Sequence, residues 1–301
     1  MANYIEIYRK DPNNIGDFYA NPLRYFANKD DIVTSIDIAE PHLSCWDDQT
    51  PMIFGGGGLI ANEIFGENIK SIIESDDHTS LDNMWENRWH LRYQNNAKLH
   101  ADFTNKMQEL IADVRRKMHK NSGKKVIWGA GHNQRGFGDT VKYPKWLQDF
   151  DLVGVRDFNV GFEWVPCASC MHPAFNKKYD IQHEVLWFEH KKQLIKGADF
   201  GSDPVFRIVN SGQNFDQTIA ILGSAKTIVT NSYHGVYWAT LLGKKVICVD
   251  PWSSKFNSFK HPPTFAKGKD WAEKIEDAKS YPNALEECRQ ANIQFWERVK
   301  R

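Results

Sequence analysis

Apolar positions along the 301-residue chain follow two patterns: short solid runs, and stretches that recur at three and four. The runs predict strands at Tyr4–Tyr8, Asp31–Ile38, Pro51–Phe54, Lys124–Trp128, Leu152–Val155 and Phe162–Val165. Further on they predict Val205–Val209, Thr227–Thr230 and Lys245–Val249. Short apolar runs bounded by turn residues suit strands covered on both faces. After a turn at Asn13–Asp17, helical patterning covers Phe18–Ala27. Leu99, Phe103, Met107, Leu110, Ile111, Val114 and Met118 keep helical spacing over a longer stretch. Phe215–Leu222, Val236–Leu242, Asp270–Ala278 and Ala284–Val299 complete the predicted helices. Residues 75–98, rich in Asp, Asn, Trp and His, read as a loop or lid.

Strands alternating with helices imply βαβ units and parallel sheets. Two such sets predict an α/β fold of two Rossmann-like domains, their parallel sheets facing a central cleft. The first domain takes residues 1–175 and the second 176–301, with closing C-terminal helices and a junction between about 173 and 185. Ligands of such sheets bind beyond the carboxyl ends of the strands, so strand-end residues carry the chemistry.

Charge narrows the choice of partner. Lys plus Arg number 38 and Asp plus Glu 38, for a formal net charge of zero. That balance argues against a nucleic-acid partner held by bulk electrostatics. No apolar run approaches the roughly 18 residues of a bilayer span, and the start, Met-Ala-Asn-Tyr-Ile-Glu, lacks a signal peptide's basic patch and apolar stretch. The expectation is a cytoplasmic protein. Five cysteines, an odd number, make no disulfide framework. Cys45, Cys248 and Cys288 are isolated. Cys167 and Cys170 form a C-x-x-C pair followed by His172, but no second pair completes a zinc set. A buried strand-end cluster is the better reading, and no metal is expected.

Five strand-end segments stand out. Asn14-Ile15-Gly16-Asp17 puts a glycine where backbone amides approach a ligand, with Asp17 either capping the next helix or touching that ligand. Gly55, Gly56, Gly57 and Gly58 follow the third strand; four glycines are entropically costly, so two backbones cross there or a ligand sits on the main chain. They fit neither a P-loop nor a dinucleotide fingerprint. In Gly129–Arg135, His132 and Arg135 either reach an anionic or sugar ligand or belong to a polar surface turn. In Val155-Arg156-Asp157 the planar fork of Arg156 suits a buried ion pair or a carboxylate or phosphate ligand. Thr230-Asn231-Ser232-Tyr233-His234-Gly235 joins a strand to a helix. Asn231 or Ser232 is expected to cap that helix, with His234 at its start facing the cleft.

These residues, with Ala239-x-x-x-Gly243-x-x-Val246-Ile247, resemble the polysaccharide pyruvyl transferase family in order and spacing from about residue 10 to 260. The resemblance implies a GT-B-like pair of domains. It also implies transfer of the enolpyruvyl unit of phosphoenolpyruvate to two hydroxyls of a sugar, releasing phosphate and leaving a pyruvate ketal. Phosphoenolpyruvate is then the donor substrate, with no separate cofactor. The acceptor is an oligosaccharide or lipid-linked glycan of the cell surface, through which the enzyme touches the membrane peripherally. His234 matches the family's active-site histidine and, tunable near neutral pH, suits proton transfer to the methylene carbon; Arg156 matches an arginine that holds the donor. Lys255 resembles a lysine after the last motif strand. Asp17 is a candidate hydroxyl orienter or base, and the amides of Gly55–Gly58 and Gly235 suit developing negative charge.

One departure stands out. Ser232 replaces the basic residue of the family's Arg-x-His-Gly, leaving Arg135, His132 or Lys255 to compensate. That keeps open a GT-B glycosyltransferase using a nucleotide-sugar. A non-catalytic glycan-binding module with aromatic stacking surfaces is a further alternative; a cleft that failed to bring His234 and Arg156 together would favour it.

Overall fold

The computed structural model describes residues 2–38, 46–60, 65–74, 113–114, 116–138, 141–191, 193, 195, 206–212 and 214–301. Residues 75–98, Cys45 and the greater part of the helix expected from Leu99 lie outside them; 113–114 and 116–120 are helical, with Val114 and Met118 buried.

The first sheet comprises β1 (Asn3–Tyr8), β2 (Ile32–Asp37), β3 (Met52–Gly55), β4 (Lys125–Ala130), β5 (Leu152–Val155) and β6 (Glu163–Trp164). Their order is β2-β1-β3-β4-β5-β6, parallel throughout. The second comprises β7 (His183–His190), β8 (Phe206–Asn210), β9 (Ala225–Thr230), β10 (Lys245–Val249) and β11 (Thr264–Ala266). Its order is β11-β10-β9-β7-β8, again parallel. Counted from its own first strand, the second sheet repeats the order of the first five strands of the first. The expected α/β architecture with two parallel sheets is therefore present. Strand order reverses between β1 and β3 in one sheet and between β7 and β9 in the other, the positions where such sheets bind ligands.

The central strands are the solid apolar runs, with Met52, Ile53, Phe54, Val126, Ile127 and Trp128 fully buried. β7 and β11 were not expected from the sequence. In β7 the apolar core Leu186–Phe188 is flanked by His183, Glu184, Glu189 and His190, which read as surface. Glu189 is buried because Arg207 on β8 pairs with it, Nη2 to Oε1 at 2.7 Å, and the Ile195 amide donates to it at 2.8 Å.

The helix expected over Phe18–Ala27 is two short ones, α1 (Ile15–Phe18) and α2 (Leu23–Phe26). Pro22 breaks them, since the residue before a proline avoids helical backbone. The buried Glu6 carboxyl anchors the break, accepting from the Leu23 amide (2.7 Å) and Asn21 Nδ2 (3.1 Å). Burial pushes Glu6 up to about 7. Asp270–Ala278 is a 3-10 turn at Gly268–Trp271 followed by turns, not a helix.

Four longer helices complete the described fold: α3 (Phe65–Glu74), α4 (Phe215–Gly223), α5 (Tyr233–Leu241) and α6 (Ala284–Val299). Every residue of α5 is buried, so it carries no polar face and runs through the core of the second half. α6 returns to the first sheet: Phe295 and Trp296 pack on Trp128, with centroids at 5.3 and 5.7 Å, and Trp128 Nε1 donates to Asn292 at 2.8 Å. Cys288, also on α6, joins the core around α5. The last helix thus ties the halves together. Among the described residues, no helix is long and apolar enough to cross a membrane.

Candidate functional site

A cavity of about 120 Å³ lies between the carboxyl ends of the two sheets, where both switch points meet. The first half contributes Arg9 after β1, Asn14 and Asp17 around α1, Gly58 after β3 and Arg156 after β5. The second contributes His190 at the end of β7, Ser232, Tyr233 and His234 around the start of α5, and Trp252 and Lys255 after β10.

Around α1 the main chain comes close to the second half. A Cβ built on Gly16 would lie 1.9 Å from His234 Nδ1, so only glycine lets this turn rest on the imidazole. Asn14 occupies the cap position but makes no capping bond; its Nδ2 donates to Asp17 Oδ2 at 2.6 Å. Asp17, the third residue of α1, therefore does not cap it. Its Oδ1 is 3.2 Å from where a Cβ on Gly57 would stand, and Gly57 has φ +73°. Gly55 and Gly56 serve packing: Cβ atoms there would meet Pro22 at 2.3 Å and Ala20 at 2.4 Å. Of the glycine run, only Gly58 lines the cavity.

Arg156 is buried, with its guanidinium carbon 3.8 Å from the Tyr233 ring centroid and its Nε without a partner. Burial opposes its charge, but Tyr233 and Asp157 favour it and raise its pKa further. Asp157 is occupied elsewhere, accepting from the His132 amide (2.9 Å) and the Tyr143 hydroxyl (2.5 Å). Gly131 makes room for the arginine: a Cβ there would meet Nε at 2.4 Å. Lys255 lies in a 3-10 turn, Ser254–Phe256, with Nζ 4.0 Å from the Trp252 ring centroid. Burial, then the charge of Arg156, lowers it to about 7. Burial raises Asp17, against the pull of Lys255 and Arg156. Burial and the same two cations drive His234 well below the usual imidazole value, so it is neutral at pH 7.

The other expected residues have different places. His132 is buried behind the cavity, Nδ1 2.7 Å from Ser254 Oγ, and burial and Arg156 lower it to about 4. Arg135 is exposed on a strand-like bridge to Ser253. These residues clasp the loop after β4 to the loop after β10 and bring Trp252 and Lys255 to the cavity. Neither expected cap of α5 forms. Ser232 holds the cap position without a capping bond, its Oγ accepting from Asn210 Nδ2 at 3.1 Å. The Asn231 carboxamide accepts from the His190 amide at 2.8 Å, shaping the end of β7. Gly235 allows close packing, since a Cβ there would meet Thr230 Oγ1 at 2.3 Å. Cys167 and Cys170 are buried free thiols, and His172 caps the 3-10 turn Pro173–Asn176 through Nδ1, 3.2 Å from the Ala174 amide.

Arg9, Asn133, His190, Asn210 and Trp252 line the cavity but were not singled out in the sequence. Arg9 had a signal: it follows an apolar run as Arg156 does. His190 had none while β7 went unrecognised. Asn14 Oδ1, Arg156 Nε and Asn210 Oδ1 are buried without partners. Buried polar atoms are nearly always paired, so orphans converging on one cavity mark a place built for a polar ligand. Arg9 (which also pairs with Asp37), Arg156 and Lys255 face Asp17 across the cavity, so basic side chains outnumber acidic ones in its lining. Among the described residues no group of three or more His, Cys, Asp or Glu converges to hold a metal ion. No protein-family model matches the chain, and no curated protein matches it significantly.

Proposed function

We propose that the chain is a polysaccharide pyruvyl transferase-like enzyme of GT-B-like architecture that binds phosphoenolpyruvate in this cavity. The observation that carries the reading is the buried Arg156, its Nε unpartnered, sharing a small cationic cavity with His234 and Lys255. Arg156 and Lys255 take the donor's carboxylate and phosphate, and His234 borders the same ligand. Lys255, at about 7, is half protonated near neutrality and suits delivery of a proton to the methylene carbon as one sugar oxygen bonds to C2, recovering a proton from that same hydroxyl. Asp17 takes the proton of the second hydroxyl, whose oxygen displaces phosphate at C2 to close the ketal, and returns that proton to the departing phosphate. The acceptor is an oligosaccharide or lipid-linked glycan, met in the cytoplasm, with any membrane contact made through it.

The lining favours a small anion: Arg156 and Lys255 with the side-chain amides of Asn14 and Asn210 suit a carboxylate and a phosphate, and the aromatic rings there, Tyr233 and Trp252, are each covered by one of those cations. His234 and Arg156 line one cavity, which favours an enzyme over a glycan-binding module. The test is phosphate release from phosphoenolpyruvate with a panel of oligosaccharides, alongside calorimetric binding of phosphoenolpyruvate and of nucleotide-sugars. Release that vanishes in His234→Ala supports the reading. Nucleotide-sugar binding without phosphoenolpyruvate binding, or near-normal turnover by His234→Ala, overturns it.

A further inference from the structure

The Cys167-x-Ser169-Cys170 segment has no part in the chemistry above, yet it meets His234 from behind. Cys167 Sγ lies 3.8 Å from His234 Nε2, and both residues are buried. We propose that Cys167 is a positioning residue that fixes the tautomer of His234, leaving the proton on Nδ1, at the Gly16 side of the cavity, as a hydrogen-bond donor.

The direction of the hydrogen bonds follows from which groups can only donate. Trp238 Nε1 is a donor and nothing else, and it donates to Ser169 Oγ at 3.0 Å. Ser169 is fully buried and has one hydroxyl hydrogen to place. Among the described residues its acceptor is Cys167 Sγ, 3.2 Å away. With that sulfur receiving from the serine, the cysteine's own S–H is left for His234 Nε2. Burial raises the Cys167 pKa, so the sulfur keeps its hydrogen at neutral pH. The Tyr237 hydroxyl fixes the Cys167 backbone, donating to its carbonyl at 2.8 Å. The chain Trp238 → Ser169 → Cys167 → His234 starts and ends on α5, one turn apart, where the Trp238 and His234 rings pack at 5.0 Å.

An imidazole that accepts at Nε2 carries its proton on Nδ1 when neutral. A ligand oxygen in the cavity then meets a fixed N–H dipole that needs no reorganisation as charge develops. His234 acts here as donor of a hydrogen bond, and proton transfer falls to Lys255 and Asp17. This functional consequence rests on the donor assignment above; the tautomer does not.

The experiment is nitrogen NMR on the full chain labelled with 15N-histidine at pH 7. The signals of His234, one of 11 histidines, are assigned by their loss in His234→Gln. The expected spectrum has an unprotonated Nε2 and a protonated Nδ1. Cys167→Ser keeps it, and Cys167→Ala moves it toward a tautomer mixture. Trp238→Phe, which keeps a ring in the core, weakens the preference in the same direction and serves if Cys167→Ala does not fold. An Nε2–H or imidazolium signal in the native chain, or a tautomer unmoved by Cys167→Ala and Trp238→Phe, overturns the proposal. In turnover, Cys167→Ala lowers kcat about tenfold or more, the scale at which groups that orient a site histidine act. It leaves KM for phosphoenolpyruvate nearly unchanged, and Cys167→Ser restores the rate. The expected tautomer response in a chain that releases no phosphate sinks the donor assignment and leaves this proposal standing.

Discussion

The two halves share one strand order and bring the same place in that order to the cavity, but they supply different chemistry. The first half presents fixed groups: the guanidiniums of Arg9 and Arg156, and main chain brought close by Gly16 and Gly58. Among the described residues its one titrating member at the cavity is Asp17. The second half presents nitrogens tuned by their surroundings: the imidazole of His234, held neutral, and the ammonium of Lys255, brought to about 7. A guanidinium keeps its charge at any accessible pH, whereas a buried ammonium or imidazole is set by its surroundings. Topology therefore places the cavity, while the residues at and after each strand end decide which wall carries fixed charge and which carries charge set by its surroundings.

The largest effect should come from removing the fixed charge. Arg156→Met is expected to lower phosphoenolpyruvate-dependent phosphate release about 10³-fold, the upper range for loss of one preorganised donor. Arg156→Lys should recover little, because an ammonium presents no Nε and does not stack on Tyr233 as the guanidinium does. Full activity in Arg156→Lys would show that the first half contributes only a point charge. Next comes the contact between the halves. Gly16→Ala places a methyl 1.9 Å from His234 Nδ1, so the turn or the ring must move by more than 1 Å. A displacement of that size at a reacting centre costs about 10²-fold in rate. Measured turnover near the native rate would show that the close approach of Gly16 is packing alone.

Much of this division was legible in the sequence, and the gaps have physical causes. Strands such as Met52–Gly55 and Lys125–Ala130 are apolar because parallel strands are covered on both faces, so they stand out. β7 hid because Glu189 is charged yet buried, neutralised by an arginine 18 residues away that no local pattern connects to it. Arg156, His234 and Lys255 could be picked out as strand-end residues, but their protonation could not. His234, expected to be tunable near neutral pH, is held neutral by burial first and then by two cations, both of which only the fold supplies. The glycine run misled in part, since close packing and ligand approach both call for a missing Cβ.

The titrating wall has a thermodynamic signature. Lys255 titrates at about 7 in the folded chain, against 10.5 as the ordinary value. Between those values the unfolded chain binds a proton that the folded chain does not, so stability rises with pH across that window and the cost is full below it. Lys255→Met removes the cost and is expected to stabilise the protein by about 2 kcal/mol at pH 7, after deducting the lost stacking on Trp252. The gain should shrink toward pH 10.5. Denaturant titrations at pH 7 and 10 check this, and an equal effect at both would mean that Lys255 is not a member of the titrating wall.

The smallest effect tests whether the halves meet symmetrically. Asp11 lies three residues beyond β1, and Lys191 directly follows β7, the corresponding strand of the second sheet; Lys191 Nζ reaches Asp11 Oδ2 at 2.8 Å. Burial works against the charge of Asp11, but Lys191 and the Asn13 amide outweigh it and hold the carboxyl below 3.8. A depressed carboxyl contributes stability above its unfolded value and loses it as pH falls through the folded one. The pair is partly exposed, so solvent screening limits it to about 0.5–1 kcal/mol. A double-mutant cycle of Asp11→Asn and Lys191→Met should return that coupling at pH 7, less as the pH drops below 3.8 and through the folded value, and less in high salt. Zero coupling at pH 7 would leave the clasp between the loops after β4 and β10, together with α6, as the contacts that set how the fixed wall faces the titrating one.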